Sequence, residues 1–424
     1  MSGSTVAHRS RISATRRSCG DAQIWRGDAA GRGAGSRQAG PRGREPGRVP
    51  GGRQAAGLGT TAKSAATAGQ SRDRRVEYRR DRYRARAWLS TVTNLKRVAD
   101  CGRVSINGGG EVGLRLGAGT AGYSGLAHCG SVWACPVCSA KIAARRTSEV
   151  EHLLRWNAAR GGTVALATFT MSHGRRDRLR DLRKALSVAW RHMTQARAWK
   201  RTREQLGCDG YVRAIECTLG ENGWHLHAHV LLLFDGPVSR EVLETWTDVL
   251  FGLWSDGLAR TGMRASRERG VDVRQGTGAL DGLGRYLSKL TYEAAGGRFK
   301  RGRKGGRTPF ELLDDAINTG LAEDFAAWWE WEEGSKGMQQ LVWSNGLKDR
   351  CGLTDVSDQE IADEELDGED LVLIDGESWR SLYWHADELL TVAEMWGERA
   401  ALSWLDRHGY GWRWHPSRIG FNPH

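Results

Sequence analysis

The sequence predicts an α+β fold: helices packed on a mostly antiparallel central sheet that carries a histidine-bearing strand, with an N-terminal cysteine-rich zinc-binding module. Three observations lead there. The run Trp224–Phe234 alternates histidine with apolar residues at a period of two, the pattern of a strand with two unlike faces. Strand-like and helix-like periodicities around it follow in the order strand, helix, hairpin, helix, strand, helix. Upstream, Cys129-Gly-Ser-Val-Trp-Ala-Cys135-Pro-Val-Cys138 contains a Cys-Pro-x-Cys knuckle, a turn that aims two thiolates at one ion.

At 424 residues the chain has room for two or three domains. Its 63 basic and 50 acidic residues leave a formal charge of +13, arranged as a basic body with an acidic tail, which points to a polyanionic partner such as nucleic acid. No apolar run reaches the length of a membrane span, and the arginine-rich start lacks the apolar stretch of a secretory signal. The expectation is a soluble, cytoplasmic chain with no membrane partner. Its eight unevenly spaced cysteines, in a reducing compartment, argue for metal binding or free thiols over a disulfide framework.

In chain order, residues 1–86 are rich in Gly, Arg, Ala and Ser, with little to bury, and read as a disordered basic segment. Residues 87–150 form the cysteine-rich zinc module and a helix, predicted over 142–155. Cys129, Cys135 and Cys138 supply three ligands, and the fourth is Cys101 or His128. Residues 151–354 form the main domain. Within it, Thr163–Met171 is a β-rich run suited to a central strand. Leu179, Leu182, Leu186, Trp190, Met193 and Trp199 recur at helical spacing, with an apolar stripe read as packing. Trp190, Trp199 and Trp246 could stack on bases, but core packing is the favoured reading. Ser239–Arg260 is a second helix and Val271–Arg274 a short strand. Leu280–Tyr292 reads as a helix with Tyr286 and Lys289, three apart, on one face. Residues 355–378 hold eleven acids and read as a linker, and 379–424, with six tryptophans, as a small helical accessory region.

The densest chemistry lies in the predicted hairpin. His225, His227 and His229 project from one face of their strand, with Leu226, Ala228 and Val230 on the other. Tyr211–Leu219 reads as the partner strand, joined through Gly220-Glu-Asn-Gly223. That connection sets Glu216 opposite His227, with Cβ atoms roughly 5 Å apart. An oxygen-and-nitrogen ligand set of this kind suits Mg or Mn better than structural zinc. A phenol and an ammonium facing a metal-bound phosphate, as Tyr286 and Lys289 would be, make a phosphoryl-transfer site.

Gly223-Trp-His-Leu-His-Ala-His-Val-Leu-Leu, with Glu216-Cys-Thr218, the Thr168-Phe-Thr-Met171 strand, Tyr286-Leu-Ser-Lys289, the Cys129–Cys138 block and Trp343-Ser-Asn-Gly-Leu347, resembles the plasmid rolling-circle replication initiators of the HUH endonuclease superfamily. The resemblance covers about Cys101 to Gly352. It implies a nicking endonuclease and strand transferase that cuts one strand at a single-stranded or hairpin plasmid origin. The product is a 5′-phosphotyrosine link and a free 3′-hydroxyl that primes rolling-circle replication.

By position, His227 and His229 match the metal-binding pair, Glu216 the acidic ligand, Tyr286 the nucleophile, and His225 the extra upstream histidine, a further ligand or substrate contact. Host helicase and polymerase are implied partners. Where some relatives carry a glutamate four residues before the tyrosine to activate water for termination, this chain has Gly282. Glu293, seven residues on and about 20° from the face of Tyr286, is the better aligned of the nearby acids, and Asp281 the worse. The competing readings are a relaxase or transposase of the same superfamily, and a non-catalytic zinc-containing DNA-binding regulator.

Overall fold

The computed structural model describes residues 60–108, 110–117, 119–275 and 306–418, with side chains from Asp73 onward. The chain opens with the long helix α1 (Thr60–Val92) and the short α2 (Lys96–Asp100), then the hairpin β1 (Val112–Gly117) and β2 (Thr120–Ser124). Helix α3 (Pro136–Ala159) leads to β3 (Thr163–Thr170), α4 (Leu179–Gln195) and α5 (Arg197–Gln205). Then come the hairpin β4 (Cys208–Gly220) and β5 (Gly223–Phe234), helix α6 (Arg240–Ala259) and β6 (Val271–Gln275). After the next described stretch begins, α7 (Pro309–Thr319), α8 (Ala322–Gly334), β7 (Leu341–Trp343) and α9 (Leu347–Arg350) complete the larger layer. The tail adds α10 (Asp358–Asp363), β8 (Asp370–Ile374), α11 (Gly376–Leu382), α12 (Ala386–Arg407) and β9 (Trp412–Trp414).

The fold is α+β as expected, built on two antiparallel sheets. The larger has the order β6-β3-β5-β4-β7. Its two faces are covered unequally, and that difference creates the site. On one face Ala165, Ala167, Phe169, Ile215, Leu226, Ala228, Val230 and Leu232 pack under α4 and α6, with Trp190, Trp199, Trp246 and Trp254 filling the layer. These tryptophans are at most 7% exposed and are core residues. On the other face α3 lays Val150, Leu153 and Leu154 over Val164, Val212, Leu231 and Leu233, covering only one end. Strand β5 records the change: every residue from Val230 to Phe234 is buried, whereas the histidines before them are half-buried. A strand covered on both faces needs apolar residues at consecutive positions.

The smaller sheet, β2-β1-β8-β9, corrects three expectations. The acidic stretch 355–378 is no bare linker. Its embedded Leu371-Val-Leu-Ile374 run forms the inner strand β8, and Ser357 caps α10 in a reciprocal box with Glu360. Its acids find cations: Arg146 pairs with Asp358 at 2.8 Å, and Arg115 with Glu365 and Asp370 at 3.0 and 2.7 Å. Nor is the region beyond it a separate helical unit. Trp379, Leu389, Leu390 and Leu405 share a core with Val112 and Leu114, more than 260 residues earlier in the chain. Residues 60–86 are likewise helical, and α1 divides its apolar positions between the two cores: Tyr83 and Ala87 pack with the C-terminal elements, whereas Ala85, Leu89 and Val92 pack into the larger core. The stripe expected to run to Trp199 divides into α4 and α5 at Ala196, whose extended backbone breaks the helix. Residues 1–59 lie outside the described structure.

Close helix packing beneath the sheet depends on Gly257 of α6, where an added Cβ would lie 2.6 Å from Ala189 Cα of α4. Replacing Gly by Ala ordinarily stabilises a helix by about 1 kcal/mol, but overpacking costs about 1–3 kcal/mol. Gly257→Val should therefore lower the urea midpoint, with a loss of roughly 1–3 kcal/mol; an unchanged midpoint would show that the two helices are not in fixed contact.

Candidate metal centres

The β4–β5 hairpin turns through Glu221 and Asn222, with Gly220 opposite Gly223 closing the ladder. Gly223 adopts φ 85°, and a side chain there would strike the Gly174 carbonyl at 2.9 Å. From this turn the register places Glu216 opposite His227, as the sequence predicts. On the other side of β5, Thr170 faces His227 and Thr168 faces His229.

Three ligand-type atoms converge. Nε2 of His227 lies 2.8 Å from Nε2 of His229, and the two lie 3.1 and 2.9 Å from Oε2 of Glu216. The three side chains are only 11–14% exposed. Thr168 Oγ1 meets His229 Nδ1 at 3.2 Å and steadies that ring from behind, while Nδ1 of His227 is buried without a hydrogen-bond partner among the described residues. Two imidazole nitrogens and a carboxylate oxygen aimed at one point form a group able to hold a metal ion.

His225 shares the face but stands outside this triad. Its Nδ1 lies 2.8 Å from Nε2 of His173, whose Nδ1 in turn meets the Asn222 carbonyl at 3.2 Å. The rings of His173, His225, His227 and His229 form a row with centroids 5.0, 4.9 and 4.6 Å apart. Sequence reasoning missed His173. The signal was present in the register: extending the Thr170–His227 pairing by two residues sets position 172 opposite His225. Burial, followed by the neighbouring His227 and His173, pulls the His225 imidazole down to about 4.

The second cluster is the cysteine module. Cys101 comes from the turn after α2, Cys129 from the loop before α3, and Cys135 and Cys138 from the start of α3, with Pro136 in the first turn. Sγ of Cys101 lies 3.7 Å from Cys135 and 3.5 Å from Cys138, and Cys129 lies 3.7 Å from Cys138. All four thiols are buried and grouped closely enough to hold a metal ion. Hydrogen bonds from the other three hold the Cys101 thiol well below its ordinary range. The choice left open between Cys101 and His128 falls to Cys101; His128 turns toward Asp363, at 3.5 Å.

Tyr286, Lys289 and Glu293 lie outside the described residues. The chain on either side of them is placed: it leaves at Gln275, the end of β6, and returns at Gly306, where a Cβ would lie 3.4 Å from Thr218 Oγ1. Arg307 then bridges Leu219. Thr218 is two residues along β4 from Glu216.

The fold and these centres define an α+β protein with a histidine–carboxylate centre on an antiparallel hairpin and a four-thiol module beside it. Residues 126–241, which span the three-cysteine block and the whole hairpin, match the family model described as Replication protein, and the resemblance to plasmid replication initiators is borne out. The chain is 28% identical over 322 residues to "Protein rep" of Streptomyces lividans, covering 61% of this chain and 70% of that protein. It is 30% identical over 228 residues to "Neomycin resistance protein" of Streptomyces cyanogenus, covering 46% and 52% respectively. No solved structure matches. No helix among the described residues is long and apolar enough to cross a membrane.

A histidine whose folded pKa is depressed takes up its proton in the unfolded chain first. Its stabilising contribution is present above the unfolded value near 6.5 and is lost as pH falls toward 4. The thermal midpoint of metal-free protein should thus fall across that window, and less steeply in His225→Asn. Superimposable profiles would remove His225 as a source of the acid sensitivity.

Proposed function

We propose that this protein initiates plasmid replication by nicking one strand of the origin. The observation that carries the reading is the convergence of Glu216, His227 and His229 at separations of 2.8–3.1 Å on the face of the sheet that α3 leaves open. Adjacent ligands of a six-coordinate ion at about 2.1 Å lie about 3.0 Å apart, whereas a tetrahedral ion would spread them to about 3.4 Å. The triad thus favours Mg or Mn. An ion held there would polarise a non-bridging oxygen of the scissile phosphate.

The chain's own residues do the rest. Tyr286 attacks phosphorus through its phenolate oxygen as the bond to the 3′-oxygen breaks, and the proton given up by the phenol is matched by one taken up at the leaving 3′-hydroxyl. Lys289 offsets the charge that develops on phosphorus. The products are a 5′-phosphotyrosine link, which conserves the bond energy and needs no ATP, and a free 3′-hydroxyl for a host polymerase. Glu293 is the candidate for activating water at termination.

For the cysteine module we favour zinc. Thiolates around a tetrahedral zinc at about 2.3 Å lie about 3.8 Å apart, close to the 3.5–3.7 Å here. Arg86 supplies an independent reason. It is 3% exposed, its guanidinium lies 4.4 and 5.2 Å from the Tyr83 and Tyr383 ring centres, and no carboxylate among the described residues pairs with it. Burying an unpaired cation costs several kcal/mol. Four thiolates on one zinc carry net negative charge, and Cys101 and Cys135 are among the ionisable groups that act on Arg86.

Incubated with labelled origin single strand and Mn or Mg, the wild-type chain should form a denaturation-resistant protein–DNA band. Tyr286→Phe should abolish the band but keep DNA binding, and a persisting adduct would exclude Tyr286. His227→Ala with His229→Ala should slow nicking by at least about a hundredfold, the order of loss when a transition-state charge stabiliser is removed. A wild-type chain that binds origin DNA but never forms the band would favour the non-catalytic regulator. The purified chain should also carry one zinc, and strong chelation should lower its thermal midpoint; zinc-free protein of equal stability would refute the zinc assignment.

A further inference from the structure

Among the described residues, α3 covers one end of the sheet face that carries the histidine–carboxylate triad. At the other end β3 finishes, and two loops are tied to its last residues. The loop after β3, Ser172–Arg180, reads Ser-His-Gly-Arg-Arg-Asp-Arg-Leu-Arg, and the segment Arg264–Gly270 reads Arg-Ala-Ser-Arg-Glu-Arg-Gly. Together they hold seven arginines and two acids.

Both loops are fixed by main-chain contacts to the strand end beside His227. Ser172 N donates to the Arg264 carbonyl at 2.8 Å and Thr170 N to the Gly270 carbonyl at 2.9 Å, while the Thr170 hydroxyl donates to the Arg269 carbonyl. Thr170 is itself the cross-strand neighbour of His227. The first loop is also pinned to the hairpin turn, through Arg175 to the Glu221 carbonyl and His173 to the Asn222 carbonyl.

The arginines on these loops divide into two sets. Arg175, Arg178, Arg180 and Arg267 are engaged, the last three with Glu330, Asp181 and Asp248. Arg176, Arg264 and Arg269 are exposed and have no carboxylate partner among the described residues, and the acid nearest the first, Asp177, is used internally to accept from Gly174 N at 2.7 Å. Guanidinium groups left unpaired on backbone-anchored loops at the mouth of a phosphate-handling site suit phosphate oxygens, which they can meet bidentately.

We propose that Arg176, Arg264 and Arg269 form a clamp that holds the sugar–phosphate backbone of the single DNA strand as it enters the site. The inference rests on the nicking reading for its substrate, but it concerns binding alone. Each phosphate contact on a single strand contributes about 0.7 to the slope of log affinity against log salt. The clamp therefore gives the strand a salt-sensitive grip independent of base sequence.

The test uses full-length protein in EDTA and a fluorescent 20-nucleotide single strand of mixed sequence, titrated over a range of salt concentrations. The triple variant R176A/R264A/R269A should bind more weakly at low salt, with a slope shallower by about 2. A control of equal charge change, R191A/R197A/R201A, removes exposed arginines from α4 and α5, which pack on the opposite face of the sheet. It should keep the wild-type slope to within one contact. Equal slopes for the rim variant and wild type, or equal losses in both variants, would overturn the clamp. Wild-type protein that binds the strand with the expected rim dependence yet forms no tyrosine adduct would leave the clamp standing and defeat the nicking reading. Adduct formation with no rim dependence would do the reverse.

Discussion

The pairing of β4 with β5 is the constraint on which the rest of the molecule depends. Twelve paired positions run from Cys208 opposite Phe234 to Gly220 opposite Gly223, and a slip of one residue would turn every histidine to the wrong face. Two features hold the register. The tight turn at Glu221 and Asn222 closes one end, and the run Val230–Phe234, buried on both faces, locks the other. Between them the strand can carry polar ligands on one face at little cost, because its opposite face stays in the tryptophan-lined core.

Unequal coverage then turns a strand pair into a site. Helix α3 shields one end of the ligand face and so lowers the exposure of the triad without sealing it. Cys135 caps the same helix and Cys138 lies in its first turn, so one element brings two thiols of the cysteine cluster together at its start and roofs the sheet further on. The two centres thus share one helix.

The smaller sheet draws together the two ends of the described chain. Strand β1, from before the cysteine block, lies between β2 and β8, and β9 completes the sheet from near the C-terminus. The acidic stretch acts as a strap in this arrangement. Glu365 and Asp370 both pair with Arg115, and Lys141 donates to the Ala362 carbonyl at 3.1 Å. Charges that would keep an isolated segment solvated are here matched by cations from the cysteine-bearing half of the chain, and partial burial makes such pairs stronger than exposed ones.

The sequence alone determined the α+β class, the strand character of Trp224–Phe234, the common face of its histidines and the position of Glu216 opposite His227. It also identified three thiols of the cysteine cluster. These features are set by strand parity, turn chemistry and short ligand spacing, all of which act over a few residues. Tertiary structure alone decided that Cys101 rather than His128 completes the cluster, and that His173 pairs with His225. It also showed that the acidic stretch supplies an inner strand. Each of these depends on contact between segments far apart in the chain, where no local periodicity carries information and the outcome is set by which surfaces bury one another.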